Sequence, residues 1–246
     1  AESFLTCEGE IVEDQNITKD LDHPRAGDVA AFLQKTRAIQ TVTRRQSRLI
    51  FALDATASRE PTWQQARALH GALFDAAASE TALSVQLCYY RGVGEFRASE
   101  WVSAPAALLD QMSGVTCAAG ITQIGRLLTH ALGAGSTNQP VRALVFVGDA
   151  CEEPEDELLS LAGQCGLRKL PLFIFQEGRD ERAHVTFKNM AKLSGGATIP
   201  FDIDSARRLR GLLAAVARFA RGGITALQQS RTPEDTLLLE QLKRSP

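Results

Sequence analysis

The sequence predicts an α/β protein: a doubly wound, mostly parallel sheet with one short antiparallel edge strand and helices on both faces, a Rossmann-like architecture. Three observations predict it. From residue 48 onward, short apolar runs of strand type alternate with stretches of helical periodicity. Runs such as "LIFAL" and "ALVFV" are apolar without interruption, as strands covered on both faces require. One turn, "RGVGE", joins two β-prone segments closely enough to make a hairpin.

The elements follow in order. Residues 1–23 are polar and acidic with little periodicity, whereas over 24–46 Val29, Phe32, Leu33, Thr36 and Ile39 recur at helical spacing behind Pro24. An N-terminal tail and helical extension is therefore expected over 1–47. The first strand is "RLIFALD", ending at Asp54. A helix over 61–79 puts Trp63, Ala66, Leu69, Leu73 and Phe74 on one side. "LSVQLCYY" is the second strand, and "FRASEWV" beyond the hairpin turn is the edge strand. The short helix "PAALLDQMS" and the loop "GVTCAAGIT" lead into the helix "QIGRLLTHALGA".

The strand "VRALVFVGD" comes next, then a helix beginning "EEPEDELL" with acidic residues and Pro154 in its first turn, where the helix dipole favours them. "LPLFIFQEG" is a strand, 185–193 a helix stopped by "SGG", and "ATIPFDI" a final short strand. The basic amphipathic helix "SARRLRGLLAAVARFARGG" aligns Leu209, Leu212, Leu213, Val216 and Phe219 in one stripe, as a core helix with its arginines in water would. The main domain is expected to span 48–223. A C-terminal tail over 224–246 has room for a short helix.

Bulk properties narrow the function. The chain has 246 residues and a formal net charge of −2, so no basic excess points to nucleic acid or to an anionic membrane. No apolar run approaches the roughly 20 residues of a membrane span. "AESFLTCEGE" lacks a basic segment followed by an apolar one, so no signal peptide is expected. Five cysteines without a C-x-x-C pair suit free thiols in a reducing, cytoplasmic compartment. Cys151, two residues past Asp149, is read as buried and inert. The four histidines are scattered, and none pairs with a strand-end serine as a nucleophilic triad would require.

Ligands of open α/β sheets bind at the carboxyl ends of the strands. The pattern places Asp54, Thr56 and Ser58 there after the first strand, Thr122 at the start of a later helix, and Asp149 at the end of "ALVFVG". Alternation at 54, 56 and 58 points three oxygens one way if the loop is extended. Two carboxylates, three hydroxyls and water make an oxygen-only set without His or Cys. That suits a hard dication rather than zinc: Mg2+ most simply, Mn2+ equally by charge, Ca2+ less well. Capping of the next helix by the same three residues is the plain alternative.

"DATAS", "GIT" and a strand-terminal "GD" together resemble the von Willebrand factor A (VWA) domain, over about residues 49–223. The resemblance implies a metal-ion-dependent adhesion site. Asp54, Thr56 and Ser58 match its D-x-S-x-S, Thr122 its distant threonine and Asp149 its distant aspartate. Three departures stand out: Thr56 replaces a serine, Gly120-Ile121 replaces a Gly–Gly pair, and Ala150 replaces the commoner glycine.

By that resemblance the chain is a protein-binding module and not an enzyme. A partner's Asp or Glu completes the ion's coordination, and ring-shaped ATPases or chelatases are among the machines that such domains serve. A Mg2+-dependent phosphatase of haloacid-dehalogenase type is the enzymatic alternative. Its D-x-D-x-[TV] needs a carboxyl where Thr56 stands, and Lys169 precedes a strand instead of following one. A metal-free scaffold of the same fold is the third.

Overall fold

The computed structural model describes residues 47–73, 83–201 and 206–244. The helix expected over 24–46 lies outside them, as do the ends of the helix expected over 61–79 and of the strand "ATIPFDI".

Strands β1 (Ser47–Asp54), β2 (Leu83–Arg91), β3 (Glu95–Ala98), β4 (Val141–Gly148), β5 (Leu172–Glu177) and β6 (Ala197–Phe201) form one sheet in the order β3-β2-β1-β4-β5-β6. Every pair is parallel except the β2–β3 hairpin. The chain winds outward from β1 in one direction and from β4 in the other. Strand order therefore reverses between β1 and β4, and their carboxyl ends frame the crevice where such sheets bind ligands.

Helices α1 (Glu60–Leu69), α2 (Pro105–Ser113), α3 (Ile124–Ala134), α4 (Glu155–Leu167), α5 (Glu181–Ser194), α6 (Ala206–Ser230) and α7 (Pro233–Arg244), with 3-10 turns over Ala57–Arg59 and His70–Leu73, complete the described elements, and the first of these turns means that the loop after β1 is not extended through Ser58. The period of a strand decides which helices meet which residues. Leu49, Phe51 and Leu53 pack with Val145, Phe173 and Phe175 against Trp63 of α1 and the buried stripe Leu209, Leu212, Leu213 and Val216 of α6. Ile50 and Ala52 face the other way, with Phe146 and Ile174, toward Leu127 of α3, Leu158 of α4 and Phe187 of α5. Both sides of β1, β4 and β5 are thus dry, which is why their sequences are apolar runs and not alternations. Each such side chain, fully buried, stabilises the fold by about 1.5–3 kcal/mol.

The edge strand is shorter than its sequence suggested. β3 stops at Ala98, and pairing resumes only as a bridge between Val102 and Val85. Ser99 causes the gap: its Oγ accepts the Leu87 N–H at 3.0 Å, replacing a main-chain carbonyl in the ladder. Pro154 is the residue before α4 and not inside it, so Glu152 and Glu153 precede the helix while Glu155, Asp156 and Glu157 fill its first turn.

α6 continues to Ser230 across a break at Gly223 (φ 64°, ψ −155°), and Leu227 and Leu238 beyond it are fully buried. Thr232 opens α7 with a reciprocal cap: its N–H donates to Asp235 Oδ2 at 2.9 Å, and the Asp235 N–H donates to Thr232 Oγ1 at 3.2 Å. Arg218 of α6 donates to the other oxygen of Asp235 at 2.7 and 3.0 Å.

Burial alone would raise the Asp235 pKa, but Arg218 and Thr232 outweigh it and hold the carboxyl below its ordinary 3.8. A depressed pKa contributes stability that is present above the ordinary value and is lost as pH falls through the depressed one. Asp235→Asn is expected to cost about 1.5–3 kcal/mol at neutral pH. In urea unfolding, that cost should shrink at pH values below about 4.

Candidate metal centre

Asp54 is the last residue of β1 and 1% exposed. Its Oδ1 accepts the Thr56 N–H at 2.7 Å, closing a tight turn, and its Oδ2 accepts the Tyr90 hydroxyl at 3.4 Å from the adjacent strand β2. Trp63, buried beneath, donates its indole N–H to the Asp54 carbonyl at 2.9 Å. The β1 carboxylate is thus fixed from both neighbouring elements before any ligand arrives. Burial raises its pKa, and the charge of Asp149 adds to that rise. The hydrogen bonds from Thr56 and the charge of Arg59 oppose it.

Thr122 lies in the loop before α3, and the acidic residues after β4 hold that loop. Glu152 accepts the Thr122 N–H at 2.9 Å and returns its own N–H to Thr122 Oγ1 at 3.1 Å. Glu153 accepts the N–H groups of Ile124 and Gly125, two of the unpaired amides at the start of α3, at 2.5 and 2.8 Å. These contacts join the second and third predicted segments.

The second segment meets the hairpin turn through a close backbone approach, and the first segment through one main-chain bond. A Cβ on Gly120 would lie 2.3 Å from the Gly92 carbonyl oxygen in the hairpin turn, and Ile121 donates its N–H to that oxygen at 3.4 Å. Ala118 donates to the Ala55 carbonyl at 3.0 Å. Glycine at position 120 lets the loop sit this low. Gly120→Ala should therefore push the loop off the hairpin and cost about 1–3 kcal/mol, read as a lower melting temperature.

Asp54, Thr56, Ser58, Thr122 and Asp149 all line one cleft, together with Ala57, Ala119, Gly120, Ala150 and Glu152. Its volume is about 270 Å³. That exceeds the roughly 30 Å³ of a water several times over, so an ion with its waters and an incoming carboxylate has room. Among the described residues no three His, Cys, Asp or Glu side chains gather as a metal cluster. The donors here are two carboxylates and three hydroxyls, with neither nitrogen nor sulfur. The set fits an oxygen-seeking dication: Asp54 and Asp149 repel each other across the cleft, and a cation between them would relieve that.

Glu152 lines the cleft, yet the sequence presents it as part of an acidic helix start. Arg59 was missed as well. Its guanidinium donates to Asp149 Oδ2 at 2.9 Å and to Glu177 Oε2 at 2.7 Å, and its Nε donates to Ser58 Oγ at 3.3 Å. Glu177 ends β5 much as Asp54 ends β1, and the strand-end rule that selected Asp54 would have flagged it. Cys151 is 6% exposed, with its thiol pushed up to about 11 by burial, which makes it a poor nucleophile.

No family model matches the sequence, and no curated protein does. Solved structures do match. A von Willebrand factor type A protein from Catenulispora acidiphila superposes with a TM-score of 0.57 at 14% identity, over 72% of this chain and 43% of that one. The SpRpn10 VWA domain matches with a TM-score of 0.53 at 10% identity, over 66% of this chain and 94% of that one. The manganese-loaded TRAP protein of Plasmodium vivax matches at 0.51 and 13%, over 70% and 74%. The chain spans less than half of the first of these. At such identities the likeness shows the fold, which is that of VWA domains.

Proposed function

We propose that this VWA-fold chain is a protein-binding module whose cleft holds a divalent cation, Mg2+ or Mn2+, for a partner carboxylate to complete. Asp54, Thr56, Ser58, Thr122 and Asp149 would hold the ion. When bound, it supplies a Lewis-acidic point with a coordination position left for an outside oxygen. The observation that carries the proposal is the convergence of all five donors, from three separate loops, on one cleft at the strand-order reversal.

The chain's own residues give the cleft its character. Thr56 and Tyr90 orient the Asp54 carboxylate. Glu152 orients Thr122 and adds a further negative charge at the rim. The manganese in the Plasmodium structure supports the metal choice by analogy of fold. Free thiols at Cys88, Cys117, Cys151 and Cys165 suit a reducing compartment, and no helix among the described residues is long and apolar enough to cross a membrane. The enzymatic alternative gains nothing here: Thr56 offers no acid, and Lys169 lies in the turn before β5, at the amino ends of the strands.

One observation favours a metal-free scaffold instead. Arg59 already gives Asp149 a cationic partner. Titration of Mg2+ with thermal unfolding separates the two readings. Binding at 100 times Kd stabilises by about 2.7 kcal/mol, a shift of roughly 5–10 °C for a chain of this size. No shift at millimolar Mg2+ or Mn2+ would leave the scaffold reading. For the partner, capture from the native host in Mg2+ should yield a protein that chelator releases, and whose binding is lost when one of its exposed Asp or Glu residues is changed to alanine.

A further inference from the structure

We propose that Arg59 is a built-in counter-cation of this cleft, competing with a divalent ion for the Asp149 carboxylate and so setting how tightly the ion is held. The inference rests on the metal reading above. Arg59 follows Ser58 directly, and its guanidinium engages two of the five donor side chains, Ser58 and Asp149. The side chain is only 11% exposed, so water screens it weakly. Its charge opposes an incoming dication, and its hydrogen bond takes up one oxygen of a carboxylate that the ion would use.

Glu177 makes the competition possible. It holds Arg59 from the other side at 2.7 Å and is itself fixed by the Thr62 hydroxyl at 2.5 Å. If Asp149 turns to an ion, Arg59 keeps Glu177 as its partner and no buried charge is stranded, the outcome that would otherwise forbid the exchange. The planar fork of an arginine presents a separate nitrogen to each carboxylate in a fixed geometry, here one to Asp149 and one to Glu177. The contacts tie the ends of β1, β4 and β5 together, so the same side chain would act as a clasp when no ion is bound.

Calorimetric titration of Mn2+ into the full chain tests this. Arg59→Gln should bind Mn2+ about tenfold tighter than the wild type, because a like charge beside the ion and a competing hydrogen bond on Asp149 are both removed. Glu177→Gln should bind it more weakly, because Arg59 is left with Asp149 as its acidic partner. Both variants break the same bridge, so a merely structural role would move affinity in one direction for both. Arg126→Gln removes a nearby cation that bonds Gly94 and Gln123 instead, and should change affinity by less than about twofold. A metal-free melting temperature lower in Arg59→Gln, with a larger Mn2+-induced rise, is expected alongside.

The proposal is overturned if Arg59→Gln binds no tighter than the wild type while the wild type does bind, or if Glu177→Gln binds no more weakly. If Arg59→Gln fails to fold, the Glu177→Gln result decides alone. If neither the wild type nor Arg59→Gln takes up Mn2+, the metal reading falls and this inference falls with it.

Discussion

An Asp54→Asn variant is expected to lose the cation response altogether, with Mg2+ or Mn2+ affinity down by at least about 100-fold, beyond the effect of losing an outer contact. Its behaviour without metal should move the other way. The wild-type carboxylate is buried, and its raised pKa means that ionisation in the folded state carries a cost at neutral pH. That cost is relieved as pH falls through the raised value, so the sign is opposite to that of Asp235. The asparagine keeps the shape and the oxygen that accepts from Thr56, its amide N–H donates to the Tyr90 oxygen where Oδ2 accepted from it, and it removes the charge. The metal-free variant should therefore melt no lower than the wild type, while its response to Mg2+ disappears. Such an opposition between stability and binding marks a residue kept for function. A variant that melts lower yet still responds to Mg2+ would place Asp54 among structural residues.

Trp63→Ala should cost about 3–5 kcal/mol of stability, or roughly 6–20 °C in melting temperature. Trp63 is fully buried and meets Tyr89 edge-on at 5.9 Å between ring centroids. The Arg67 guanidinium lies 5.8 Å from the ring centroid. Truncation leaves a cavity between α1 and the sheet and also strands the Asp54 carbonyl, which now accepts from the indole. Trp63→Phe separates these effects. It retains much of the apolar contact and loses the N–H with a little ring volume, the unpaired carbonyl alone costing about 1–3 kcal/mol. If the indole bond also positions Asp54, cation affinity falls in Trp63→Phe although the core is still filled. Equal affinity in wild type and Trp63→Phe would confine Trp63 to packing.

Much of the sheet could be read from the sequence because β1, β4 and β5 are buried on both faces, and such strands leave unbroken apolar runs. The positions of Asp54 and Asp149 followed from the same runs, since each carboxylate comes where a run stops. The edge strand is shorter than hydropathy predicts because one hydroxyl, Ser99, replaces a main-chain acceptor, and hydropathy does not register that exchange.

The whole acidic segment after β4 has the pattern of a helix start because Pro154 suits a first turn as well as it suits the position just before one. Glu152 and Glu153 consequently serve α3 and the cleft, while the first turn of α4 belongs to Glu155, Asp156 and Glu157. No local signal marks Arg59. Its partner Glu177 is 118 residues away, and no local periodicity encodes a pairing at that separation.

If the metal reading holds, side chains from three distant loops surround one ion. The most direct measurement is anomalous diffraction from crystals grown with saturating Mn2+. One strong peak is expected in the cleft, within coordination distance of Asp54 or its bound water, Ser58, Thr122 and Asp149 or its bound water. A protein that crystallises in the same fold at saturating Mn2+ with no peak there, and with Arg59 still bridging Asp149 and Glu177, would contradict it.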